Sequence, residues 1–160
     1  MMNSEILSKT PLMPPLKKTA YLFLLVSFLG FLDAAYLTVI HYTGGELKCG
    51  FFGGCGVVTT SVYSVIAGIP VSLLGTVYYL ILFFLVYAYA DTQRINIMKI
   101  VSWLTLIGVG ASLWFLFLQV FIIKALCLYC LISATTSFSL FGIGAYTIYT
   151  TRNFLQYSSQ

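Results

Sequence analysis

The chain alternates long apolar stretches with short polar breaks. Residues 20 to 41, 69 to 90 and a fifty-residue run from about 100 to 150 carry few charges. Each reaches or exceeds the roughly 20 residues an α-helix needs to cross a hydrocarbon core. As one helix the last run would be about 75 Å long at 1.5 Å per residue, more than twice the roughly 30 Å thickness of that core, so it crosses twice. Lys124 interrupts it, and a reversal there predicts four spans at about 20–41, 67–90, 98–121 and 127–149, although no Pro or Gly marks the turn. The first span stays apolar for longer than the 7–15 residues of a signal-peptide core and lacks a small-x-small cleavage site after it, so it is read as retained.

The expected fold is an all-α integral membrane protein, a four-transmembrane-helix bundle with a Gly-rich extracytoplasmic loop between helices 1 and 2. Residues 1–19 form an N-terminal arm, 20–150 the membrane domain and 151–160 a tail, with no soluble domain expected.

Composition agrees. Of the 160 residues 60% are hydrophobic and 8% charged, too few polar groups to clothe a soluble domain of this size. Orientation follows from the basic residues, which favour the cytoplasmic side of short loops. Lys9, Lys17, Lys18, Arg94, Lys99 and Arg152 share one face, and only Lys48 and Lys124 lie on the other. Both termini are therefore expected in the cytoplasm. The net charge of +4 reports this topology. With no basic stripe or soluble module to carry it, a nucleic-acid partner is not expected.

This topology puts all four cysteines on the outer face: Cys49 and Cys55 in the loop after span one, Cys127 and Cys130 at the start of span four. Disulfides form and persist on that side of a bacterial membrane. Four cysteines allow three pairings, which spacing alone does not resolve. In "CLYC" (127–130) the two thiols share a face, and the helix N-terminus and nearby Lys124 would both favour a thiolate; the plain alternative is two small residues buried in a membrane helix. The loop "TGGELKCGFFGGCG" (43–56) is rich in glycine, which suits a carrier that bends better than a rigid staple. Its alternative is a loop-closing Cys49–Cys55 disulfide. A Cys₄ zinc site is disfavoured by the five-residue spacing and the glycines, and no metal is expected.

Ionisable groups inside lipid are costly and often functional. Asp33, mid-span, reads as a proton acceptor or as the partner of a hydroxyl on a neighbouring helix. His41, the one histidine, reads as an aid to thiol deprotonation or as a solvated interfacial group.

Several features together resemble the vitamin K epoxide reductase family of quinone-linked thiol oxidoreductases. They are Cys49 and Cys55 with five residues between them, Ser61 six residues on, "IPVSLLG" (69–75) opening span two, and "CLYC" opening the last helix, and the similarity covers residues 20 to 150. The resemblance implies a four-helix bundle around a quinone (ubiquinone or menaquinone), with Cys127 and Cys130 as active-site dithiol and Cys49 and Cys55 as the shuttle. It places Cys130 and Ser61 beside the cofactor. Vertebrate members carry an asparagine on the second helix that contacts the substrate oxygen and a tyrosine four residues after the last Cys-x-x-Cys; here those places are Val71 and Ala134. These departures favour quinone-coupled disulfide formation over vitamin K epoxide reduction. The implied setting is a bacterial inner membrane, in lipid with a quinone. The expected type is a stand-alone homologue whose partner is a separate periplasmic thioredoxin-fold thiol oxidase.

A DsbB-type quinone reductase also has four helices and two cysteine pairs, but with its Cys-x-x-Cys first; the order here is reversed. A non-enzymatic tetraspan scaffold or small transporter with structural disulfides is the reading from a different class. A transporter should show an internal repeat, and none is visible.

Overall fold

A computed structural model describes residues 14–45, 54–92 and 94–157. Four long helices dominate: α1 (Pro14–Thr43), α3 (Val71–Thr92), α4 (Ile95–Phe117) and α5 (Leu128–Tyr157). Between α1 and α3 lie a short helix α2 (Cys55–Thr59), a 3-10 turn (Val62–Ser64) and a hairpin of β1 (Val65–Ile66) and β2 (Ile69–Pro70). The strands pair antiparallel with Val65 opposite Pro70 and Ile66 opposite Ile69. Ala67 and Gly68 close the hairpin, both with positive φ (51° and 82°), the backbone a two-residue hairpin turn demands.

The apolar helical segments Lys18–Thr43, Val71–Thr92, Asn96–Ile123 and Leu128–Thr150 are each long enough to cross a membrane. The second starts later than its expected position at 67, because residues 67–70 belong to the hairpin and the helix begins directly after Pro70. The bundle is apolar outside: Leu22, Phe84, Trp103, Trp114 and Tyr149 are exposed around it, as lipid-facing side chains must be. α1 packs on α3 and α5, and α4 on α5 and α3. Phe23, Tyr79, Leu82, Val86, Val101 and Leu140 fill the middle. Tyrosines occupy the space a side chain would take at two glycines, the Tyr79 ring at Gly30 and the hydroxyl end of Tyr78 at Gly108, which lets the helices approach closely in the manner of membrane bundles.

The reversal near Lys124 is made without Pro or Gly. α4 runs into a π-helical turn, Leu118–Ile123, and Lys124 then takes a left-handed conformation (φ 54°, ψ 32°) that ends it. The chain continues non-helically to α5, where the Leu131 N–H donates to the Cys127 carbonyl (3.1 Å), which makes Cys127 the N-cap residue.

Candidate active site

Cys127 and Cys130 are free thiols, and Cys55 is in a disulfide. Cys49 lies outside the described residues. Cys55, the first residue of α2, and Cys127 are both fully buried and share one small apolar cluster with Val58. Ile123, Ala125, Tyr129 and Cys130 pack around it. What brings α2 so close is Gly54: a Cβ there would stand 2.7 Å from the Leu126 carbonyl oxygen and 3.0 Å from its nitrogen. This glycine is a packing requirement, in contrast to the conformational freedom expected of the loop glycines as a group. At the far side of the cluster Tyr129 meets Tyr36 of α1, ring centroids 5.3 Å apart.

The thiol of Cys127 is held well below the ordinary value near 9, at about 7. A hydrogen bond from the Cys130 thiol is the largest cause, and burial works against it. The backbone N–H groups of Cys130 and Tyr129, at the start of α5, add to the lowering, while the Asp33 carboxylate opposes it. The helix N-terminus thus acts as expected. Lys124 supplies the left-handed backbone at the turn. The main-chain N–H of Cys127 donates to Gln119 Oε1 at 3.0 Å in a buried contact.

Next to the thiols lies a cavity of about 360 Å³ walled by all four long helices and by the α2–hairpin segment. Cys130 lines it, as do Ser61, His41, Val71 and Ala134. The Ser61 hydroxyl donates to the Val58 carbonyl at 2.7 Å, so toward the cavity its oxygen is free only to accept. Two phenols in the wall are also committed. Tyr78 donates to the Leu104 carbonyl (3.2 Å). Tyr79 donates to the Ser133 carbonyl (2.8 Å) and bonds the hydroxyls of Ser133, Thr136 and Ser137 at 3.1, 2.8 and 3.0 Å. His41 stands on the wall, edge-on to Tyr42. Asp33 keeps one carboxylate oxygen, Oδ2, buried without a hydrogen-bond partner among the described residues, so a hydroxyl pairing accounts for at most its other oxygen.

Residues 21–148 match the Vitamin K epoxide reductase family. The chain belongs to the vitamin K epoxide reductase family. Within it, the chain is similar to thiol-disulfide oxidoreductase LTO1 of Arabidopsis thaliana, with 37% identity over 118 residues. The match takes in 69% of this chain and 31% of that protein, so the chain spans about a third of its relative's length. Family membership accounts for the four-helix bundle and for the order of the two cysteine motifs. Gln119 and the Tyr79 network escaped the sequence reading. A signal existed for the first, since Gln119 is the one amide side chain in the apolar run from about 100 to 150 and a buried amide must find a partner.

Proposed function

We propose that the chain is a quinone-dependent thiol oxidoreductase that reoxidises a thioredoxin-fold thiol protein and so supports disulfide bond formation. The observation that carries this reading is the place of the Cys-x-x-Cys: Cys127 packs beside the disulfide-bonded Cys55, and Cys130 lines the cavity. The cavity suits a quinone. Its volume lies within the roughly 300–1,000 Å³ of small-molecule sites, its walls are mostly apolar, and the Ser72 and Ser112 hydroxyls on it make no hydrogen bond among the described residues. Val71 and Ala134 supply neither amide nor phenol, which favours this reading over vitamin K epoxide reduction. The bias of basic residues supports an orientation with the thiols outside a bacterial inner membrane and both termini in the cytoplasm.

In the proposed sequence a thiolate of the partner attacks the Cys49–Cys55 disulfide at Cys49. The partner leaves with its two thiols joined as a disulfide, and Cys49 and Cys55 become thiols. Cys55 attacks Cys127 of an oxidised Cys127–Cys130 pair; that bond breaks and Cys130 leaves as thiolate. Cys49 then attacks Cys55, the loop disulfide re-forms, and Cys127 is released. A thiol with a value near 7 is a good leaving group for this last step. A bound quinone, ubiquinone or menaquinone, supplies the sink for the two electrons and two protons that the Cys127/Cys130 dithiol gives up on closing to a disulfide.

The test is quinone reduction by the purified protein with a reduced thioredoxin-fold donor, followed by ultraviolet absorbance. Cys130→Ser should abolish turnover and hold a Cys55–Cys127 mixed disulfide in exchange with the loop disulfide, formed when the Cys127 thiolate attacks Cys55 of Cys49–Cys55 and Cys49 leaves, and read by peptide mapping after acid quenching and alkylation. A Cys49–Cys127 pair in its place, or no quinone reduction by the parent protein, would overturn the reading.

A further inference from the structure

We infer that Gln119 is the positioning residue of the Cys-x-x-Cys, an amide clamp that closes the turn between α4 and α5 and sets Cys127 against Cys55. The inference rests on the thiol route proposed above and deepens it. Gln119 is 1% exposed and sits inside the π-helical turn. It holds the following eight residues at two points. Its main-chain carbonyl accepts the Ala125 N–H at 3.1 Å, and its side-chain Oε1 accepts the Cys127 N–H at 3.0 Å. Between these bonds Lys124 carries the left-handed backbone that turns the chain.

The second bond falls on the residue that caps α5 and bears the exchanging sulfur. The N–H of an N-cap residue has no acceptor inside its own helix, so a buried one needs an acceptor from elsewhere. Gln119 supplies it and thereby fixes the Cys127 backbone relative to α4. The bond is made from within the π-helical turn, and such turns are frequent at functional sites.

The test needs no quinone. In the Cys130→Ser protein, the rate at which Cys127 joins Cys55 is followed by rapid acid quenching and alkylation. Gln119→Leu, similar in size but without an acceptor, should slow this at least tenfold, whereas Gln119→Glu, which keeps an oxygen in reach of the Cys127 N–H, should stay within about threefold of the parent. Gln119→Asn keeps the amide but withdraws it by one methylene and should also be slow; it decides the matter if the leucine variant does not fold. In protein with all four cysteines, kcat for quinone reduction should fall in Gln119→Leu with KM for the quinone little changed, a split that general loosening of the bundle would not give. Exchange at the parent rate in Gln119→Leu or Gln119→Asn, or Gln119→Glu as slow as Gln119→Leu, overturns the inference while the proposed thiol route stands. If the Cys130→Ser parent forms no Cys55–Cys127 pair, the route itself falls and takes the inference with it.

Discussion

Replacing Gly54 with alanine separates two accounts of the glycine-rich loop. Gly54 has φ −89° and ψ −5°, a conformation alanine adopts freely, so the substitution adds no backbone strain. What it adds is a methyl group 2.7 Å from the Leu126 carbonyl oxygen and 3.1 Å from Ala125 Cβ, where ordinary contact begins at 3.4 Å. The nearest neighbour is backbone and cannot swing aside, so α2 must withdraw by several tenths of an ångström and carry Cys55 away from Cys127. Overpacking of this kind costs about 1–3 kcal/mol. At about 1.4 kcal/mol per factor of ten, a mid-range 2 kcal/mol lowers the docked population roughly 30-fold. The assay is formation of the Cys55–Cys127 mixed disulfide in the Cys130→Ser protein, sampled by rapid quenching. Gly56→Ala is the control: nothing lies within 4 Å of the added Cβ, and it should leave the rate unchanged or raise it slightly by stiffening α2. If Gly54→Ala exchanged within twofold of its parent, the close approach would have no part in transfer, and loop freedom would be the better explanation of the glycines.

Two further predictions concern the thiolate and the bundle. With Cys127 at about 7, thiolate absorbance near 240 nm in the reduced protein should titrate with a midpoint near pH 7; because the folded value lies below the unfolded one near 9, ionisation stabilises the folded dithiol fully above pH 9 and the gain disappears as pH falls through 7. Cys130→Ala should raise that midpoint, and an unchanged midpoint would refute the hydrogen bond from Cys130 as the main cause. Tyr79→Phe removes the hydroxyl shared with Ser133, Thr136 and Ser137 and should destabilise the bundle by about 1–2 kcal/mol in reversible detergent unfolding, within the range for polar contacts between membrane helices. Stability equal to the parent would refute it.

The four spans were legible because a run of apolar residues long enough to cross lipid has few other uses, and the cysteine motifs because their order and spacing carry the family. The hairpin at 65–70 was not, since two-residue strands are too short to show an alternating pattern and an Ala-Gly turn is a weak hairpin signal beside Asn-Gly. The turn after α4 was placed correctly at Lys124 but for an incomplete reason: a charge in an apolar run marks a break, whereas the break is made by a π-helical turn and a left-handed lysine, neither of which has a residue signature. Gln119 was overlooked because a lone amide belongs to no motif, and its importance follows only from which N–H it reaches.

The Tyr79 hydroxyl also has a bearing on aim. Ser133 and Ser137 lie three and seven positions after Cys130, on the same face of α5, and Tyr79 of α3 grips that face at both. Packing and polar contacts together keep a helix in lipid from rolling about its axis. With a Cα radius of about 2.3 Å, a roll of about 30° moves each Cα by roughly 1.2 Å and swings the side chains beyond it further. One phenol on a neighbouring helix therefore helps to hold the azimuth of α5, and with it the direction in which the Cys130 sulfur points.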